Sequence, residues 1–211
     1  MAKKLNTNNN VYIIIYSIVL VVIVACGLAF VFQGLKDKQE ANVALDVKKQ
    51  VIAALDVRQF QDDADAEAQY AAIVQKVDTV DAENKAIIYT CDLKGETKYI
   101  FSVKGMGLWG PIWGYVALNA DKQTVYGAFF NHEGETAGLG GEIKDSKAWQ
   151  DLFKGKVAVA DGKAVLGVVK GAAKDDASNV DCVTGATLTS NGVDEMLKNG
   201  LAIYKDFLEL K

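Results

Sequence analysis

Residues 11–32, VYIIIYSIVLVVIVACGLAFVF, form an almost unbroken apolar run within a stretch, Leu5 to Leu35, that holds no charged side chain. At the rise of a helix this run is about 33 Å long, enough to cross the hydrocarbon layer of a bilayer. Tyr12 and Tyr16 lie near its start, where aromatic rings favour the membrane interface. Beyond it the pattern turns amphipathic. Val47, Val51, Ile52 and Leu55 recur at helical spacing in the polar segment 36–60, which predicts a helix leaving the membrane. Residues 61–83 are acidic and alanine-rich and predict a further helix, or a linker with helical parts.

From residue 86 the texture changes to short β-branched and aromatic runs at 86–91, 98–104, 112–118, 124–130, 156–160 and 164–170. Turn residues such as Lys94-Gly95, Asn119 to Asp121 and Asp161-Gly162 separate them, the pattern of a mostly antiparallel sheet. SKAWQDLF (146–153) predicts a short helix. Val193, Met196, Leu197, Leu201, Tyr204, Phe207 and Leu208 predict a longer one at the end. The fold class is α+β: an N-terminal transmembrane helix, a helical stalk, and a single mostly antiparallel sheet domain with flanking helices. The expected boundaries are 1–10 for a tail, 11–33 for the transmembrane helix, 34–85 for the stalk and 86–211 for the globular domain.

Charge sets the orientation. Lys3 and Lys4 precede the apolar run with no acidic residue, whereas Lys36 and Lys38 after it are mixed with Asp37 and Glu40. The positive-inside bias therefore places the N-terminus in the cytoplasm and the domain outside. Ile23-Val24-Ala25-Cys26 also has the form of a lipoprotein box, but Gly27 to Phe32 continue the apolar run where a polar tether would begin. An uncleaved anchor is the reading preferred. The chain of 211 residues carries a net charge of -4 and one arginine, Arg58, so the basic stripe of a nucleic-acid binder is missing. His132 and the scattered Cys26, Cys91 and Cys182 have no metal-ligand spacing, and no metal site is expected.

Three segments could carry chemistry. NHEGETAGLGGE (131–142) is either a long surface turn or a loop whose glycines let backbone approach a ligand. In VKGMGLWGPIWGYV (103–116), Trp109 could lie over a flat ligand or cover the sheet, the role expected of Trp113. In DCVTGATLTSNGV (181–193), Ser190 or Asn191 would cap the last helix, which leaves Thr184, Gly185, Ala186 and Thr187 unexplained. A small-residue loop running into a helix N-terminus is suited to a phosphate.

Asp181-Cys182-Val183-Thr184-Gly185-Ala186-Thr187 resembles the D-x-x-[S/T]-G-A-T flavinylation signal found in the Na+-translocating NADH:quinone oxidoreductase and the related Rnf complex. GLW at 107–109, GETAGLGGE at 134–142, VKGAA at 169–173 and TGATLTSNGV at 184–193 are similar, in order and spacing, to the family of C subunits of the Na+-translocating enzyme. The resemblance covers the anchor and most of 97–200. It departs at Ala137, where proline is usual, and at Cys182 and Thr184, where glycine and serine are common.

The resemblance implies that 86–211 is a covalent FMN-binding domain and that a flavin transferase joins FMN by a phosphoester to Thr187. Asp181 would belong to the recognition signal, with Thr184, Gly185 and Ala186 making the tight approach. Glu135, Thr136, Leu139, Gly140, Trp109 and Lys170 would border the cofactor, Lys170 near its phosphate. The implied partners are other membrane and flavoprotein subunits of one complex in a bacterial inner membrane, with the FMN domain on the periplasmic side. That complex would couple NADH oxidation by quinone to Na+ export, with no complete active site on this chain. A G subunit of the Rnf type, and a non-enzymatic membrane-anchored binding module, are the alternatives. Cys182 could pair with Cys91, or both could stay free thiols.

Overall fold

The computed structural model describes residues 9–83 and 85–210, and the chain divides into two compact units, Met1–Ala44 and Leu45–Lys211. Lys3 and Lys4, on which the orientation rests, lie outside the described residues. The apolar run and the amphipathic segment belong to one helix, α1 (Asn10–Ala53). Among the described residues it alone is long and apolar enough to span a bilayer, with a mean hydropathy of 3.0 over its most apolar 18 residues. The helix stops earlier than the pattern to residue 60 implied, because the chain turns sharply at Asp56, which has φ 65°. Val51 and Leu55 are buried as the spacing predicts, and Val47 is partly exposed.

The globular unit begins well before residue 86. Its first elements are the end of α1, then α2 (Asp63–Ile73), capped by Asp62, whose carboxylate accepts from Asp65 N at 2.8 Å. Five strands follow: β1 (Val74–Asp81), β2 (Ala86–Leu93), β3 (Glu96–Met106), β4 (Pro111–Leu118) and β5 (Val125–His132). Each pairs antiparallel with the next, an up-and-down meander.

Within 61–83 the expected helix is present as α2, but from residue 74 the chain is the strand β1, so the sheet starts before residue 86. Val74, Val77 and Val80 are spaced by three, which imitates a helix. The strand tolerates that spacing because its pairing with β2 shifts register between Val74 and Lys76 and again between Thr79 and Asp81. Each such irregularity breaks the alternation of a regular strand. Its charges, Lys76, Asp78 and Asp81, suit an edge strand that must not recruit another chain.

After the sheet come α3 (Glu142–Asp145), α4 (Lys147–Asp151), a small hairpin β6 (Val159–Ala160) and β7 (Lys163–Ala164), the parallel pair β8 (Gly167–Val168) and β9 (Asn179–Val180), α5 (Thr187–Ala202) and α6 (Lys205–Leu208). The runs at 156–160 and 164–170 thus supply only two-residue strands. The sheet separates two cores. On one face α5 lays Val193, Met196, Leu197 and Leu201, and the turn into α6 lays Tyr204, over Ile88, Phe101, Val103 and Ile112. On the other, Val51, Ala54 and Leu55 cover Tyr89, Cys91, Ile100 and Tyr115.

Tyr204 fastens the first face: its ring packs edge-on to Phe101 at 5.0 Å, and its hydroxyl donates to Ser102 O at 2.6 Å. Cys91 and Cys182 are free thiols in separate cores. Burial pushes the Cys91 thiol up to about 12.

Candidate functional site

The loop from β9 into α5 is held from several directions. Asp181 Oδ1 accepts from its neighbour Cys182 N at 2.8 Å and from Gly171 N at 2.7 Å, which ties the 169–173 loop to it. Trp149 Nε1 donates to Asp181 O at 2.8 Å. Gly185 has φ 78°, in the left-handed region, and a Cβ there would stand 2.9 Å from Leu139 Cδ2. Only glycine fits without strain.

Helix α5 begins four residues earlier than a cap at Ser190 would require. Ala186 occupies the cap position and offers no side-chain hydrogen bond. The Ser190 hydroxyl instead accepts from Val183 N at 3.0 Å and fastens the preceding loop. Thr187 is therefore the first helical residue. The amide N–H groups of this first turn have no intrahelical acceptors and carry the positive end of the helix dipole.

The facing wall comes from two other loops. The turn after β3 closes with Gly107 N donating to Gly110 O at 2.8 Å. The loop after β5 is fixed by Glu135, whose N–H donates to His132 Nδ1 at 3.1 Å. The Glu135 carboxylate accepts from Trp109 N at 2.8 Å and from Thr189 Oγ1 at 2.6 Å, and so links both loops to α5.

Between these walls lies a cavity of about 410 Å³. Leu108, Trp109, Glu135, Thr136, Leu139 and Gly140 form one side, and residues 185–189 form the other. At its mouth Trp109 is 70 % exposed and Leu188 61 %. Of the residues expected around a cofactor, the structure brings together Trp109, Glu135, Thr136, Leu139, Gly140, Gly185, Ala186 and Thr187. Asp181 and Thr184 line a different cavity of about 520 Å³, beside Glu142, Ser146 and Trp149. Lys170 is exposed and lines neither of the two.

Leu108, Leu188 and Thr189 also line the first cavity, although the sequence did not single them out. Leu108 sits inside the GLW motif, where it could have been chosen. Thr189 had no local signal, since its partner Glu135 is 54 residues away.

An FMN group fits this donor set. The free first-turn amides and the Thr187 hydroxyl suit a phosphate. Leu108, Trp109, Leu139 and Leu188 offer apolar surface to a flat ring, and Glu135 and Thr136 offer polar edges. The volume lies in the range of small-molecule sites.

Comparison with known proteins agrees. Residues 107–202, which contain both walls, match the FMN-binding domain family. Fold and site together define an FMN-binding domain carried behind an apolar helix. The chain is 31 % identical over 201 residues to the C subunit of the Na(+)-translocating NADH-quinone reductase of Vibrio alginolyticus, covering 76 % of this chain and 78 % of that one. It belongs to that family of C subunits.

The corresponding protein of Haemophilus ducreyi is 42 % identical over 114 residues, 51 % of this chain and 44 % of the relative. The match thus spans less than half the length of that relative. Among solved structures, the corresponding C subunit from Parabacteroides distasonis superposes with a TM-score of 0.74 at 35 % identity, covering 84 % of this chain and 98 % of that one. Shewanella oneidensis NqrC superposes at 0.65 with 25 % identity, covering 78 % and 96 %.

Proposed function

We propose that this chain holds FMN in the 410 Å³ cavity through a phosphoester to Thr187, attached by a flavin transferase. As a membrane-anchored subunit it relays electrons within a complex that couples NADH oxidation by quinone to Na+ export. The apolar half of α1 is the anchor, with the N-terminus in the cytoplasm and the FMN domain on the periplasmic side.

One observation carries the assignment of Thr187. Of the four hydroxyls from Thr184 to Ser190, Thr184 faces the second cavity. Thr189 is buried against Glu135 and Ser190 against Val183 N. Thr187 remains on the cavity wall at the amide-rich start of α5. Bound there, FMN supplies the redox chemistry, and the chain's residues hold and orient it. Lys170 does not line this cavity, and no contact with the phosphate is assigned to it. Asp181 contributes by holding the loop that presents Thr187.

The test is to coexpress the full chain with a flavin transferase and view denaturing gels under ultraviolet light. Wild type and Thr189→Ser should fluoresce and Thr187→Ala should be dark. Mass spectrometry should find FMN on the 181–198 peptide. A fluorescent Thr187→Ala band would overturn the assignment.

A further inference from the structure

Glu135 is only 7 % exposed. Burying a carboxylate is costly unless its oxygens are satisfied, and here each accepts one hydrogen bond, from Trp109 N and from Thr189 Oγ1. Two neighbouring glycines leave room for it. A Cβ on Gly140 would stand 2.5 Å from Glu135 Oε2 and 2.6 Å from Thr189 Oγ1, and a Cβ on Gly107 would overlap Oε1. Thr189, Trp109, Gly140 and Glu135 itself all line the FMN cavity. A neutral amide could tie the same walls together, so what the carboxylate adds to the tie is its charge.

We propose that Glu135 is a positioning residue of the flavin site. It ties the 107–109 turn to the first turn of α5, which sets the width of the cavity. Its negative charge in the wall also lowers the reduction potential of the flavin held there. The second half rests on the reading that FMN occupies the cavity. Adding an electron beside a fixed negative charge in a partly dry site is disfavoured, so removing the charge raises the potential.

The experiment uses the full-length flavinylated protein and two variants. In Glu135→Gln the amide oxygen can still accept from Trp109 N, and the amide N–H can donate to Thr189 Oγ1, so the tie stays and the charge goes. FMN on the 181–198 peptide and hydrogen exchange at the Trp109 amide should match wild type, while the flavin midpoint potential rises. Glu135→Ala should raise the potential and also speed Trp109 exchange by about tenfold or more.

An unchanged potential in Glu135→Gln would overturn the role of the charge. Unchanged Trp109 exchange in Glu135→Ala would overturn the positioning role. Should Glu135→Ala fail to fold, Thr189→Val removes one arm of the tie and its exchange decides the same point. A wild-type 181–198 peptide without FMN would overturn the proposed function and the charge effect together, leaving the exchange result to decide the positioning role.

Discussion

Both faces of the five-stranded sheet are covered, and they are used differently. The face under α5 runs out, at the ends of β3 and β5, into the loops that wall the proposed FMN cavity. The opposite face is closed by the end of α1 and holds two phenols and a thiol, Tyr89, Tyr115 and Cys91. Burial raises all three above their ordinary values, Tyr115 and Cys91 to about 12. The difference fits the proposed placement of FMN. A helix N-terminus with free amides projects from the edge of one face, whereas the helices over the other face bury side chains and stabilise the domain.

That comparison breaks most visibly at Leu55, which is 2 % exposed and covers the face away from the cavity. Leu55→Ala should lower unfolding free energy in urea by about 2–5 kcal/mol through lost burial and a residual cavity. Flavin attachment to the folded fraction should be unchanged. A matching fall in flavin yield would mean that the two faces are coupled.

Alkali should strike the same face. Well below pH 9 the Cys91 thiol is neutral in folded and unfolded chains alike. As pH rises past the ordinary thiol value of 9.0, the unfolded thiol ionises while the buried one stays neutral up to about 12. The contribution of Cys91 to stability is therefore full below pH 9 and lost between 9 and about 12. Tyr115, raised from 10.0 to about 12, acts in the same direction over a narrower window. Urea melts at stepped pH should show this fall, and Cys91→Ala should flatten its early part.

Two smaller effects belong to the α5 face. Thr189→Val leaves a buried carboxylate oxygen without its hydroxyl donor and should cost about 1–3 kcal/mol, measured by thermal melts. Tyr204→Phe removes the bond to Ser102 O but keeps the ring on Phe101, so the loss should be about 1 kcal/mol with flavin yield unchanged.

Where local periodicity carried the information, the fold was legible. The strands from 86 to 132 and the final helical face emerged close to their expected places. β1 was not legible, because two register shifts let valines spaced by three sit in a strand. The start of α5 was misplaced because Ser190 is a good capping residue, and the tertiary structure uses its hydroxyl on Val183 N instead.

The candidate site was legible as a set of loops. It was not legible as one cavity: Asp181 and Thr184 turned to a neighbouring one, and Lys170 to neither.

By itself the sequence determined the apolar anchor segment, the α+β class and the D-x-x-T-G-A-T loop, since each is written in contiguous residues. The tertiary structure set Thr184 on a different cavity from Thr187, and joined Glu135 to Thr189 across 54 residues. Such contacts follow from how separate loops meet at the edge of a sheet, and no local pattern of residue types encodes that meeting.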